Sequence, residues 1–204
     1  MLNIAVLVSG GGTNLQSIID SIKTGYLNEV AIKYVISDRE GAYAIERAKL
    51  EGIETFILDK RIYKENLSKQ IDKIIDSGVD LIVLAGYLSI VGEPLISKYR
   101  DRIINIHPSL IPSFCGKGMY GIKVHEAAIN YGVKFSGCTV HFVDENTDTG
   151  AIILQNIVKV DIDDTPECLQ KKILIEEHKA LPLAIKLISE ERVSVINRKV
   201  IIRE

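Results

Sequence analysis

Strand-length apolar runs alternate with helically spaced apolar residues through the first half of this 204-residue chain. Alternation of this kind builds βαβ units, whose parallel strands are buried on both faces and so read as continuous hydrophobic stretches. Asn3–Val8 is such a stretch, and Leu15, Ile18, Ile19 and Ile22 follow it at helical spacing. The same reading predicts strands over Val30–Ser37, Ile53–Leu58, Asp80–Ala85 and Ile103–His107. Helices are expected over Tyr43–Glu51, over Lys64–Ser77 with Leu67, Ile71, Ile74 and Ile75 inward, and in a short turn near Pro94–Lys98. Beyond the loop Pro108–Tyr120, a helix is expected near Lys123–Tyr131. Two β-type segments, Lys134–Val143 and Ala151–Val160, are joined by a short polar connection and should pair antiparallel. Thr165–Ser189 reads as a long helix that Pro182 kinks or divides, and Val193–Ile202 as a hairpin turning at Asn197–Arg198. The expected fold is α/β: a mainly parallel twisted sheet, Rossmann-like in its N-terminal half, with an antiparallel C-terminal edge.

Composition narrows the function classes. The chain is 47% hydrophobic and 25% charged with a formal net charge of −2, which fits one domain with a substantial core. A balance so close to neutral gives no general electrostatic case for nucleic acid, so an anionic substrate must be held by local devices. Cys115, Cys138 and Cys168 form no CxxC pair and read as free thiols of a reducing, cytoplasmic setting. The first strand lacks a basic leader and is too short to span a membrane.

Four segments carry chemistry. In INIHPSLIPSF, Asn105 and His107 point to one face of a strand while Ile104 and Ile106 point to the other. Pro108 ends that strand, leaving an amide beside a titratable ring at a strand's carboxyl end, where open α/β sheets place their ligands. SGGGTN, Ser9 to Asn14, joins strand one to helix one, so its glycines can turn N–H groups toward a phosphate at a helix N-terminus. Its bland reading is a turn capped by Thr13, with Gln16 completing a capping box. It is no P-loop, and Leu15 replaces the third glycine of a dinucleotide fingerprint, although Asp38 at the end of strand two could mimic a ribose-binding acid. HFVDENTDTG gathers acids about a turn. It fits calcium poorly, because Thr149 replaces the turn glycine and Gln155 the closing glutamate, and the four histidines have no metal spacing. Its functional reading is that one acid, best Asp148 beside Gly150, reaches His107 and favours the protonated ring. In LAGYLSIV, Gly86 permits close approach of a flat ligand that Tyr87, Leu88, Ile90 and Val91 could wall.

Taken in order, SGGGTNLQ, LAGYLSIV, NIHPSLIPSF, the DTG of HFVDENTDTG, and EEHKALP at Glu176 to Pro182 resemble the phosphoribosylglycinamide formyltransferases. These are folate-dependent enzymes of purine synthesis, and the resemblance covers most of the chain. It implies the formyltransferase fold in a single domain over 1–204, with a nucleotide-binding half over 1–100 and a catalytic, folate-binding half over 101–204. It also implies formyl transfer from 10-formyltetrahydrofolate, a consumed co-substrate, to the amine of glycinamide ribonucleotide. Asn105, His107 and Asp148 match the catalytic trio. Gly11, Gly12, Thr13 and Asn14 match the substrate phosphate loop, and Glu177 a second substrate contact. Leu88, Ile90, Val91, Asn105, Val143 and Asp148 match folate-pocket positions. No metal is implied, nor a nucleic-acid or membrane partner, and a homodimer is admitted. Ser89 departs from the pattern, standing where several relatives carry arginine. Leu174 stands where a basic residue approaches the phosphate, with Lys171 and Lys172 nearby. Rival readings are a formyltetrahydrofolate hydrolase, a methionyl-tRNA or sugar-nucleotide formyltransferase, a nicotinamide enzyme, and a nucleotide-binding module without turnover.

Overall fold

The computed structural model describes residues 1–75 and 78–204, which fall into two compact units, Met1–Asn105 and Ile106–Glu204. In the first unit, β1 (Leu2–Val8) leads to α1 (Thr13–Lys23), β2 (Val30–Ser37), α2 (Tyr43–Leu50) and β3 (Glu54–Ile57). Next come α3 (Lys60–Tyr63), α4 (Leu67–Ile74), β4 (Leu81–Leu84), α5 (Leu95–Lys98) and β5 (Ile103–His107), whose last two residues enter the second unit. β1 pairs in parallel with β2 and with β4, β2 with β3, and β4 with β5. Residues Ile4 to Val8 have no exposed surface at all, as a central parallel strand covered on both faces requires.

The segment expected as one helix over Lys64–Ser77 is different. A short helix, α3, and a 3₁₀ turn at Lys64–Asn66 precede α4, and Lys64 breaks the run with a φ of 47°. Leu67, Ile71 and Ile75 are buried, whereas Ile74 is half-buried. The expected end at Ser77, with Asp76, lies outside the described residues.

The second unit contains α6 (Ile122–Tyr131), β6 (Phe135–Phe142), β7 (Ile152–Lys159), α7 (Pro166–Ser189), β8 (Val193–Ile196) and β9 (Lys199–Ile202). β6 and β7 pair antiparallel, Gly137 opposite Ile157, with a bulge between Val140 and His141. Sheet order is β3-β2-β1-β4-β5-β6-β7, so the antiparallel pair ends the sheet. Helix α7 begins with Thr165, whose side chain accepts the Cys168 N–H, and Pro166 at its start. Pro182 does not divide it: the 24 residues form one helix. The proline is itself buried between Leu181 and Ala184, and this packed face holds the turn despite its missing N–H. β8 and β9 form a separate hairpin whose two turn residues, Asn197 and Arg198, both have positive φ, the pattern of a type I′ turn. Among the described residues no helix is long and apolar enough to cross a membrane.

Candidate active site

His107 ends β5 and is buried. Its Nε2 lies 3.0 Å from the carbonyl oxygen of Phe114. A carbonyl only accepts, so Nε2 carries a proton. Nδ1 faces Asp148, 3.6 Å from Oδ2. The separation exceeds a hydrogen bond, so the pair interacts as ring and countercharge. Asp148 Oδ2 also accepts the Gly116 N–H at 2.8 Å, so one loop supplies a backbone group to each partner.

That loop is fastened to the β6–β7 hairpin. Thr139 Oγ1 donates to the Ser109 carbonyl at 2.6 Å and accepts the Ile111 N–H at 3.1 Å. Gln155 Nε2 donates to the Ile111 carbonyl and to Thr139 Oγ1. Ser109 Oγ donates to the Ser113 carbonyl. Phe114 and Asp148 have φ values of 51° and 58°, a left-handed backbone that costs a non-glycine residue about 1 kcal/mol or more. Such strain persists where surrounding bonds over-determine it, as these do. Gly150 is required by contact: a Cβ there would lie 1.8 Å from the Phe142 carbonyl oxygen.

Two further histidines accompany His107. His141 Nδ1 donates to the Phe142 carbonyl at 2.7 Å, and its Nε2 lies 3.7 Å from Asp148 Oδ1. Burial lowers its pKa and favours the neutral ring, against the opposing effects of that carbonyl and Asp148. His125, on α6, is buried, with no hydrogen-bond partner for Nδ1. Burial, with the charge of His107 second, pushes its pKa down to about 4. Nothing in the sequence marked His125, the Phe114 carbonyl or the Gly116 N–H. Backbone groups carry no residue signature, and His125 sits in an ordinary helical pattern.

The acids of the turn are sorted by geometry. Asp144 accepts the Thr149 hydroxyl at 2.5 Å and the Asn146 N–H, so it braces the turn, while Glu145 is exposed. Val143 is half-buried just past β6. Glu177 lies on the buried face of α7, where its charge helps to raise the thiol pKa of Cys138 after burial itself. Lys172 is committed to Asp161 and Asp164, at 2.8 and 2.7 Å, while Lys171 is exposed and Leu174 half-buried.

The first unit carries the glycine loop and the loop after β4. The expected Thr13 cap is corrected here. Gly12 is the N-cap, with a φ of 73° and no side-chain capping bond, and Thr13 is already helical. A capping side chain belongs to the residue before the helix, and here that residue is a glycine, which has none. The Gln16 side chain donates instead to Asp20 and accepts from Arg47. The carbonyls of Gly10 and Gly11 accept from the Ala44 N–H and from Arg47 Nε, which turns them toward α2. Thr13 opens α1, and the N-terminus of a helix suits an anion. Beyond β4, Val91 is buried, whereas Leu88 and Ile90 are 43% and 79% exposed, a free apolar lip beside Gly86 at φ 73°. Asp38 is not disposed as a ribose acid: its buried carboxylate accepts from Ser89 Oγ at 2.6 Å and Arg39 Nε at 3.1 Å. Asn105, the last residue of this unit, is half-buried on β5, two positions before His107.

The formyl transferase family model matches residues 2–185. The chain belongs to the formyl transferase family. Among its relatives, the chloroplastic phosphoribosylglycinamide formyltransferase of Arabidopsis thaliana is 40% identical over 194 residues, covering 93% of this chain. The trifunctional purine biosynthetic protein adenosine-3 of Homo sapiens is 37% identical over 94% of it. This formyl transferase chain spans 66% of the plant protein's length and 19% of the human one's. Among solved structures, glycinamide ribonucleotide transformylase 1 from Symbiobacterium toebii superposes with a TM-score of 0.93 at 41% identity, covering 100% of this chain and 95% of that one.

Proposed function

We propose that this formyl transferase moves the formyl group of 10-formyltetrahydrofolate to the amino group of glycinamide ribonucleotide. The products are formylglycinamide ribonucleotide and tetrahydrofolate, in purine synthesis in the cytoplasm. The observation that carries the reading is the geometry of His107. A backbone carbonyl pins its Nε2–H, and a carboxylate stands 3.6 Å from its Nδ1.

Acyl transfer to an amine builds negative charge on the formyl oxygen and must carry a proton from nitrogen to the leaving group. Asn105 donates a hydrogen bond to that oxygen without changing its own charge. His107, protonated at Nδ1, stabilises the same oxygen and passes the proton on. Asp148 supplies the countercharge, held in place by the Gly116 N–H. Gly11, Gly12, Thr13 and Asn14 receive the phosphate at the start of α1, and Glu177 contacts the same substrate. Leu88, Ile90, Val91 and Val143 receive the folate, and the exposure of Leu88 and Ile90 suits a flat apolar ring. All of this is read as the work of one domain over 1–204.

The test follows absorbance with 10-formyltetrahydrofolate and glycinamide ribonucleotide, with 10-formyltetrahydrofolate in water alone, and, separately, with NADH. Turnover that needs the ribonucleotide supports the reading. Equal turnover with water alone assigns a hydrolase, and ligand binding with no turnover assigns a binding module.

A further inference from the structure

Asp38 is a buried acid that the reaction does not use. It follows β2, and β2, β1 and β4 are parallel neighbours, so its carboxylate lies where the segments after β1 and β4 begin. Its side chain is fully buried and accepts from the Ser89 hydroxyl and from Arg39 Nε, and the Ser9 hydroxyl also helps to hold its charge. The Ser9 oxygen in turn accepts the Leu88 N–H at 2.8 Å. Ser9 opens the glycine loop, while Leu88 and Ser89 belong to the lip after β4. One carboxylate therefore stands where Ser9 of the glycine loop, which binds Leu88, and Ser89 of the lip come together. Burial opposes its charge, but the bonds from Ser89, Arg39 and Ser9, with the charge of Arg39, outweigh burial and hold the carboxyl below its usual range. The same charge and burial push the buried Tyr87 hydroxyl above its usual range.

We propose that Asp38 is a positioning residue that fastens the glycine loop to the lip after β4, so that the seats of both substrates are set together. Only a carboxylate suits the place. The Ser89 hydroxyl and Arg39 Nε both donate to it, and an asparagine offers one accepting oxygen and no charge to strengthen the bonds. The names of the two ligands rest on the formyl-transfer reading; the fastening does not.

The test compares Asp38→Ala, Asp38→Asn and Ser89→Ala in the full chain, by steady-state kinetics and by amide hydrogen exchange. Asp38→Ala should raise KM for the ribonucleotide and for the folate by about tenfold each, with kcat at saturation changed less than about twofold. Exchange should quicken in residues 9–14 and 86–91 together while β1 and β4 keep their protection. Ser89→Ala should raise the folate KM alone, and Asp38→Asn should fall between wild type and Asp38→Ala. Loosening of only one loop, uniform loosening of the whole sheet, or a folded Asp38→Ala with both KM values unchanged overturns the proposal. If the wild type does not transfer formyl groups, the functional reading fails and the exchange data still decide the role of Asp38.

Discussion

Asp148 and Asp144 share one turn, yet their carboxylates have different work. Asp148 faces His107 Nδ1 and accepts the Gly116 N–H, whereas Asp144 accepts the Thr149 hydroxyl. Asp148→Asn removes the countercharge while keeping an accepting oxygen for Gly116. Turnover should fall on the order of 10²-fold or more, the worth of a positioned acid–base group. Asp144→Asn should leave kcat within about threefold and lower the melting temperature instead, because a charge-assisted bond in the turn is weakened. Steady-state kinetics with melting curves on both variants checks this, and loss of turnover in Asp144→Asn alone moves the assignment to that residue. At this scale the sequence was legible where side chains set the geometry: His107 and Asp148, named together, stand 3.6 Å apart. Asn105, His107 and Asp148 could be named from strand alternation and the family resemblance. The Phe114 carbonyl could not, because its direction comes from a φ of 51° that no residue type signals.

The glycine loop is an element whose residues have separate duties. A Cβ on Gly12 would lie 2.6 Å from the Ala44 Cβ, and its φ of 73° resists any side chain. Gly11 has nothing within 4 Å of the same point and no positive φ. Gly12→Ala should therefore cost roughly 1–3 kcal/mol of stability by strain and overpacking against α2. Gly11→Val should fold normally and raise KM for the ribonucleotide, since its side chain projects into open space at the head of α1. Urea titrations paired with kinetics separate the two effects; a normal KM in a stable Gly11→Val removes the phosphate assignment. Elements were the most legible scale. β2 and β5 were bounded in the sequence as the structure has them, because β-branched runs and flanking turns signal both ends. The Lys64–Ser77 helix was drawn too long: Lys64–Asn66 form a 3₁₀ turn, and Ile75, the last residue of the apolar spacing, is already extended. Pro182 does not divide its helix, since a packed helix face outweighs one lost bond.

For the whole molecule, His125 ties stability to pH. Its folded pKa of about 4 lies below the ordinary 6.5. Between those values the unfolded chain binds a proton that the folded chain refuses, so stability falls as pH drops through this window. The loss approaches about 3 kcal/mol at its lower end. His125→Gln, which cannot charge, should lose less stability between pH 7 and pH 4 than the wild type does. Equal losses by denaturant titration remove His125 as the cause. No sequence pattern shows this, because the effect depends on burial beside a second histidine. The hairpin of β8 and β9 bears on stability from the far end of the chain. Arg198 takes a φ of 69° in a two-residue turn that favours glycine at that place. Arg198→Gly, giving Asn-Gly at the turn, should stabilise the hairpin by about 0.5–1 kcal/mol, read as slower amide exchange in β8 and β9, with kcat unchanged. Selection removes chains that fall below a working threshold and does not reward margin above it. At this turn an engineer could raise the protein's tolerance to heat without touching its chemistry.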